Sequence, residues 1–510
     1  MSGFCKYYKQ KKQVSYDNGV TWQDVTPYEY QEGDLYERNS TDCGYQVIER
    51  WVVVSGDYEC SGTTKYTKEQ KEISYDGGQT WTQTSDYRRG NTVIEYNSED
   101  CGYVPPTGYS AQYLTFVALE SGSFGASTSH YYSLDDGLTW DRGSRTPIVK
   151  AGQKVMWKNY IGEGYLSGGE QFSSTNRFTV EGNIMSLVYG DDFVGQTSIV
   201  GRSKLFLNSF LFCSGLISAE NLVLPATTLS SWCYMGMFDG CTNLTTAPKS
   251  LPATTLTENC YCGMFQGCTS LTTAPSTLPA TTLARNCYGG MFQGCTSLTT
   301  APEIFATTLA KECCGGMFEG CTSLTTAPSI LPATSLAVDC YRRMFQNCTS
   351  LTTAPELPAT TLAKSCCMWM FENCTSLTTA PELPATTLAE NCYRAMFEHC
   401  TSLTTAPSIL PATALVNYCY DEMFDGCTSL TTAPELPATT LVDNCYQYMF
   451  YNCTSLSSIK CLATNISADN CTTFWLSGVA SSGTFTKPAS MTSWTNGPSD
   501  IPNGWTVVNV

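Results

Sequence analysis

The stretch that decides the fold is LTTAPELPATTLAENCYRAMFEHCTS, residues 377–402, because close copies of it fill the C-terminal half of the chain. The Met-Phe pair of this unit recurs from Met237 to Met449, and successive pairs lie 26 or 27 residues apart. A fixed period of this length is typical of a solenoid, in which each unit buries its apolar face against its neighbours. The sequence therefore predicts a continuous stack of repeats.

Each repeat divides into a strand segment and a turn segment. LTTAP is short, rich in threonine and ends at proline, which is typical of a strand. The segment that carries Cys, Tyr, Met, Phe and Cys predicts a short helical turn. The expected fold class is therefore an α/β leucine-rich repeat solenoid with one strand and one helical turn per repeat, preceded by mainly β N-terminal modules.

The motif MF-x-x-C-T-S-L, as in Met396 to Leu403, resembles that of the BspA-like leucine-rich repeat family. That family occurs in surface proteins of Bacteroidetes and in phages that infect them, and the unit in this chain is a few residues longer. The resemblance implies a scaffold that works by binding. We accordingly expect no catalytic residue.

Two cysteines stand eight residues apart in each full repeat, for example Cys445 and Cys453. Eight residues of helix would span ~12 Å, and packed helices would hold equivalent cysteines ~8–10 Å apart. A disulfide needs Cα atoms within ~7 Å. We therefore expect buried free thiols, and with only two histidines in the chain we expect neither a metal site nor a cofactor.

Two faces of the array are candidate binding surfaces. In leucine-rich repeats the concave strand face is the usual one, so the threonine ladder is the first candidate. The residues just before each Met-Phe pair differ between repeats and predict a solvent-facing convex stripe, the second candidate. The ladder consists of Thr246, Thr273, Thr300, Thr326, Thr353, Thr379, Thr405 and Thr432. The stripe consists of Arg342, Arg343, Trp369, Arg394, Asp421, Glu422 and Tyr448.

The N-terminal region holds a second repeated motif, S-x-D-x-G-x-T-W, at residues 15–22, 74–81 and 133–140. The motif resembles the Asp-box of sialidases and related β-propellers, where it lies away from the active site, so it implies a scaffold. The turn dipeptides predict a hairpin whose aspartate bonds backbone amides across the turn. Two cysteine pairs bracket the first modules and could form disulfides if the protein were oxidised: Cys5 with Cys43, and Cys60 with Cys101.

These patterns predict five regions. Residues 1–52 and 53–105 are Asp-box-like β modules, and 106–208 is a β-sandwich-like region that holds the third Asp-box and caps the solenoid. Residues 209–475 are the leucine-rich repeats, and 476–510 form a C-terminal cap.

Composition narrows the function. The net charge of −17 excludes nucleic acid as an expected partner. The chain contains no apolar stretch of the length of a membrane span, and it begins without a signal peptide, so we expect folding in the cytoplasm of the cell that makes it. The reduced cysteines favour the same compartment.

The leading hypothesis is therefore a non-enzymatic phage virion protein, a fibre or decoration, assembled in the host cytoplasm. Its repeats would bind a host cell-surface protein or glycan, and its N-terminal modules would contact other virion proteins. A homotrimer is possible. The alternatives are a bacterial cell-surface adhesin and a glycan-active enzyme, although no motif singles out the carboxylate pair that a glycosidase needs.

Overall fold

The computed structural model describes residues 5–11, 28–38, 48–61, 64–74, 78–95, 108–126, 130–142, 146–159 and 171–510. The chain divides into two compact units, Met1–Pro106 and Thr107–Val510. The first Asp-box copy (residues 15–22), Cys43 and Cys101 lie outside the described residues.

The first unit is built from antiparallel strands. β1 (Cys5–Lys11) pairs with β2 (Tyr28–Arg38). β3 (Ile48–Ser61), β4 (Thr64–Ser74) and β5 (Thr82–Glu95) form a three-stranded meander. The predicted border between the first two modules, at residues 52 and 53, falls inside β3. Cys60 is disulfide-bonded, whereas its expected partner Cys101 lies outside the described residues.

The second unit begins with a six-stranded sheet. Its strands are β6 (Leu114–Ala118), β8 (His130–Ser133), β9 (Asp141–Arg142), β11 (Lys154–Asn159), β12 (Phe178–Asn183) and β13 (Leu216–Val223). Their order in the sheet is β13-β12-β6-β11-β8-β9. β7 (Gly122–Ser123) and β10 (Ile148–Val149) form a separate pair. Helix among the described residues is confined to α1 (Ser186–Tyr189) and two 3-10 turns, Tyr109–Ala111 and Gly190–Asp192.

The sheet continues directly into the repeat array. β13 lies in the first coil and runs parallel to β12, while the β11, β8 and β9 pairings are antiparallel. Phe210 of the first coil packs on Phe116 and Phe172 of the sheet, with ring centroids 5.8 and 5.5 Å away. The sheet therefore covers the apolar end of the array.

The strand segments of the array are shorter than the sequence predicts. A proline ends each LTTA segment, so the strand pairing does not extend beyond it. Most coils are joined there by a single pair of bridged residues, such as Thr326 and Thr353. β14 (Thr277–Leu278) pairs with β15 (Glu303–Ile304) in parallel. At the C-terminal end, β16 (Ser458–Lys460), β17 (Thr484–Lys487) and β18 (Thr506–Asn509) form a parallel sheet, and Trp475 stacks on Trp494 with centroids 5.5 Å apart.

The prediction of a helical turn in each repeat is wrong. Every fourth residue of the turn segment has a positive φ, as at Asn259, Gly263 and Gly267, and such residues cannot continue a right-handed helix. Backbone donors alternate instead. The Met264 amide donates to Tyr261 in the same coil (3.2 Å), and the Phe265 amide donates to Met291 in the next (2.8 Å). The buried residues still recur in pairs every four positions, a pattern that imitates a helix.

The coils stack much closer than packed helices do. Phe238, Phe265 and Phe292 lie in a column with ring centroids 5.3 and 5.4 Å apart. Our expectation that equivalent cysteines are separated by a helix-packing distance is therefore wrong, because the coils are separated by about a strand spacing of ~4.8 Å. The expected free thiols are nevertheless present, since the cysteines from Cys213 to Cys471 are unpaired.

One cysteine of each coil also has a polar role that the sequence did not reveal. The Cys321 thiol donates to the carbonyl oxygen of Phe292 in the preceding coil (3.1 Å), and Cys348 does the same to Phe318 (3.1 Å). Burial raises the pKa of Cys321 to about 12. These thiols therefore stay protonated and act as hydrogen-bond donors between coils.

Burial predicts how the thiols react. A small alkylating reagent should modify few cysteines between Cys213 and Cys471 in the folded protein, because the reactive thiolate is suppressed there. In guanidinium without reductant, the same reagent should modify all of them. Mass spectrometry of the two samples checks this, and peptides that stay unmodified after unfolding would contradict the free-thiol assignment.

The left-handed turn predicts a stabilising substitution. His399 is exposed and has a φ of 58°, and Gly267, Gly294 and Gly320 occupy the same position in other coils. His399→Gly should raise the free energy of unfolding by about 1 kcal/mol, because a left-handed conformation costs a residue with a Cβ roughly that much. Thr401→Gly, exposed and without a positive φ, is the control and should lower it. Denaturant titration of the full-length chain measures both, and a loss of stability in His399→Gly would refute the argument.

Candidate binding surfaces of the repeat array

The predicted threonine ladder is a continuous row on the strand side. Its members from Thr273 to Thr432 are exposed, and Thr246 is half-buried. Parallel bridges join neighbouring members, such as Thr353 and Thr379. The threonine just before each member uses its own hydroxyl internally, since Thr325 Oγ1 donates to the Thr299 carbonyl oxygen (3.1 Å). The ladder is thus a uniform hydroxyl surface.

A second threonine row, which the sequence analysis missed, lies on the PATT segments. Parallel bridges link Thr255 to Thr282, Thr282 to Thr308, and Thr361 to Thr387. These residues are also exposed. The repetition of PATT in the sequence is a sufficient signal for this second row. The two rows make the strand side chemically monotonous.

The turn side is varied, and the variation has a conformational rule. The residue just before each Met-Phe pair is left-handed in every coil from Gly236 to Tyr448. Four coils place glycine there: Gly236, Gly263, Gly290 and Gly316. Five place a larger residue there, at φ values between 49° and 58°: Arg343, Trp369, Ala395, Glu422 and Tyr448. We call the predicted stripe residues together with these five positions the turn stripe.

The structure brings most turn-stripe side chains into contact. The Arg342 and Arg343 guanidinium carbons lie 5.1 and 4.7 Å from the centroid of the Trp369 ring. Further along, Arg394 pairs with Asp421 (3.0 Å) and with Glu422 (3.2 Å).

Tyr448 closes the row by stacking on Phe474, with ring centroids 5.8 Å apart. The stripe therefore contains three groups of contacting side chains, centred on Trp369, Arg394 and Tyr448.

One stripe residue does not face solvent as predicted. Asp421 is 2% exposed, and its carboxylate pairs with Arg394 (3.0 Å). Ala395 and Met368 are likewise buried. Variation between repeats therefore indicated the right segment, but it did not separate outward from inward positions.

Carboxylates crowd the turn side in the three successive coils that contain Met370, Met396 and Met423. Glu372, Glu398 and Asp425 occupy one position in successive coils. Burial, followed by the charges of Glu372, Glu422 and Asp425, raises the pKa of Glu398 to about 7. Burial also raises the pKa of Asp421 to about 7 and that of Asp425 to about 6. Close stacking thus forces like charges together.

The third Asp-box copy forms the turn that its motif predicts. Asp135 accepts hydrogen bonds from the Thr139 hydroxyl (2.6 Å), the Thr139 amide (2.9 Å) and the Ser133 hydroxyl (2.7 Å), and these bonds lower its pKa to about 2. Trp140 packs edge-on against Tyr113, with centroids 5.0 Å apart. The turn is structural, and kinship with the Asp-box of sialidases stays a prediction.

Comparison with known proteins gives the family. The stacked coils with parallel threonine bridges and buried leucines define a leucine-rich repeat solenoid. The sequence model of the BspA type leucine rich repeat region matches residues 207–352 and 339–476, in six copies. These ranges together cover more than half of the chain, and the protein therefore belongs to the BspA type leucine-rich repeat family.

One solved structure is similar at low level. It is a leucine rich cell surface protein from Faecalibacterium prausnitzii, with 15% identity over 68% of this chain and 94% of that one, and a TM-score of 0.27. A search of curated proteins found no match. Within the described residues, no group of three or more acidic, histidine or cysteine side chains is arranged to hold a metal, and no helix is long and apolar enough to cross a membrane.

The raised carboxyl pKa values predict a pH dependence of stability. A carboxyl whose pKa is higher in the folded than in the unfolded chain binds its proton more tightly when folded, so stability is greatest at low pH and falls as pH rises through the folded-state pKa. The pKa is about 7 for Glu398 and Asp421 and about 6 for Asp425, against ordinary values of 4.5 for glutamate and 3.8 for aspartate, so the loss begins near pH 4 and is complete near pH 7. We expect a higher thermal midpoint near pH 4 than near pH 7.

Glu398→Gln is the matched variant, because Gln266, Gln293 and Gln346 occupy the same position in other coils. It should flatten the pH profile and raise the midpoint at alkaline pH. Differential scanning calorimetry across the window provides the measurement, and a variant with an unchanged slope would show that Glu398 does not contribute.

Proposed function

We propose that this protein is a non-enzymatic adhesion protein, which attaches its carrier to a bacterial cell through the repeat array. The ligand is a cell-surface protein or glycan, and the turn stripe is the surface that contacts it. The threonine ladder, our first candidate from sequence, takes second place, because its uniform hydroxyl rows offer little to distinguish one ligand from another.

The observation that carries the proposal is the retention of large side chains where the backbone favours glycine. Arg343, Trp369, Glu422 and Tyr448 stand at a left-handed position that Gly263 and Gly290 fill without strain. A left-handed conformation costs a non-glycine residue roughly 1–2 kcal/mol, and strain of this kind concentrates at functional sites. The core positions of the same coils are almost identical. The side chains that break the pattern are therefore the ones that serve recognition.

Two carriers fit this function. One is a phage virion, in which the protein is a fibre or decoration and its N-terminal modules contact other virion proteins, with trimerisation as a further possibility. The other is the surface of a bacterium, which agrees with membership of the BspA type family. The cysteines do not decide between them, because buried, protonated thiols resist oxidation in either setting.

The glycan-active alternative has one observation in its favour. The raised pKa of Glu398, about 7, is suited to a general acid. Its surroundings explain the raised pKa without catalysis, since burial is the main cause and the charges of Glu372 and Asp425 in the carboxylate row add to it. Incubation with capsular polysaccharide and analysis of reducing ends tests the alternative directly.

The binding proposal is tested on the full-length chain, because β13 belongs both to the array and to the preceding sheet. The test variant combines Arg343→Gly, Trp369→Gly, Glu422→Gly and Tyr448→Gly. These four positions then carry the residue found there in the coils of Gly263 and Gly290. This variant should fold at least as stably as the wild type, but after fluorescent labelling it should no longer bind to host bacteria. The matched control carries Glu at the exposed positions Thr300, Thr353 and Thr405 on the strand side.

The outcomes separate function from face. Loss of cell binding in the turn-stripe variant alone supports the proposal. Loss in the strand-side variant alone keeps adhesion as the function and moves it to the threonine ladder. A wild-type protein that binds no bacterium among candidate hosts refutes adhesion.

A further inference from the structure

A groove opens on the turn side where neighbouring coils lack side chains. Its volume is about 440 Å³, within the range of ~300–1,000 Å³ that is usual for ligand sites. Gly289, Gly290, Gly315 and Gly316 form its floor. Polar side chains from successive coils also line it: Gln266, Asn286, Gln293, Glu312, Glu319, Asp339, Arg342 and Arg343.

The two arginines stand at the end of the groove, where the glycine coils give way to coils with large residues. Both stack on Trp369. The Nε atoms of Arg342 and Arg343 are buried without an acceptor among the described residues. Buried donors of this kind are unfavourable unless another group accepts from them.

The charge environment of this pair differs from that of every other basic residue of the array, residues 209–475. Lys249, Arg285, Lys311, Lys364, Arg394 and Lys460 each have a carboxylate oxygen within 3.5 Å. Arg342 has only a distant contact with Asp339 (3.9 Å), and Arg343 forms no ion pair with any residue that the structure describes. In a chain with a net charge of −17, this pair is left available to an external anion.

We propose that this groove binds an acidic oligosaccharide, with a sugar carboxylate held by Arg342 and Arg343 and neighbouring sugar hydroxyls held by the amide and carboxylate walls. This inference rests on the proposed adhesion function and gives it a ligand class. Arginine suits the carboxylate because its planar fork matches the two oxygens. Gln266 and Gln293 both donate and accept, as sugar hydroxyls require.

The lining favours a sugar over an acidic peptide. The glycine amides that line the groove already donate hydrogen bonds. Gly290 donates to Gly315 (2.9 Å) and Gly316 to Arg342 (2.8 Å) in the next coil, whereas Gly289 and Gly315 donate within their own coils. A peptide therefore finds neither free backbone partners nor an apolar pocket for its side chains. Glu312, Glu319 and Asp339 would repel an anion along most of the groove, which restricts the carboxylate to the arginine end and leaves acceptors for hydroxyl groups elsewhere.

The test measures calorimetric binding of trigalacturonate to the full-length protein, with neutral galactotriose and triglutamate as comparators. Trigalacturonate should bind, and added salt should weaken it. Arg342→Gln with Arg343→Gln should weaken it by about tenfold or more, because charge-assisted hydrogen bonds are lost. Lys364→Gln with Lys460→Gln is the charge-matched control elsewhere in the array and should leave binding unchanged.

A second variant keeps the arginines and fills the groove. Gly315 has no positive φ, and a Cβ there meets only ordinary contacts, the nearest at 3.6 Å. Gly315→Trp should abolish binding with little change in thermal midpoint, and Gly315→Ala should retain it.

The outcomes distinguish this inference from the adhesion proposal. Equal binding of triglutamate, or wild-type affinity in both the arginine and the groove-filling variants, overturns the acidic-sugar assignment. If the protein adheres to bacteria but binds no trigalacturonate, the groove inference fails and adhesion stands. If trigalacturonate binds through the arginines but bacteria do not, the groove inference stands and the adhesion proposal fails.

Discussion

The hydrogen bond from one coil to the next is the interaction on which the rest of the structure depends. It is made in the turns as well as in the strands, because every second amide of the turn segment donates to the following coil, as the Phe318 amide donates to Met344 (2.9 Å). This fixes the coil separation near the ring spacing of 5.4 Å seen between Phe318 and Phe345. A separation so short requires equivalent residues to stack directly on one another.

Direct stacking explains both the uniform core and the crowded surface. Columns of identical Phe, Leu and Cys residues pack well at this distance, and Trp475, Trp494 and Trp505 close the last coil. The same spacing brings Glu372, Glu398 and Asp425 together on the outside, where stacking is unfavourable. Burial between the coils and these stacked charges together raise the pKa of Glu398, so the shift is a consequence of the repeat geometry.

The sequence predicted the repeat, its period, the buried face and the free thiols of the array, because each depends on spacing along the chain. It did not predict the turns. Pairs such as Cys392 and Tyr393, followed four residues later by Met396 and Phe397, satisfy helical periodicity equally well. Asn391 and His399 were weak signs of a left-handed turn. The residue types of Arg343 and Trp369 do not indicate a left-handed conformation. Because the turns were predicted to be helical, the coil spacing was predicted to be that of packed helices, which is too large.

The candidate site divides along the same line. Comparison of the repeats located the turn stripe, because positions that vary are easily recognised when the rest of each repeat is nearly constant. Three features depend on the folded structure and not on the repeat pattern. Asp421 is buried, Arg342 and Arg343 both contact the Trp369 ring, and the glycines of the preceding coils leave a groove beside these arginines.

Exposed ion pairs contribute little to stability, so the lack of a close partner for the two arginines is not itself a structural defect. What sets them apart is that a strongly acidic chain supplies a nearby carboxylate to each of the other cations in its array. Arg342 and Arg343, at the end of the groove, lack such a close carboxylate. A ligand that carries its own negative charge is the best explanation of this exception.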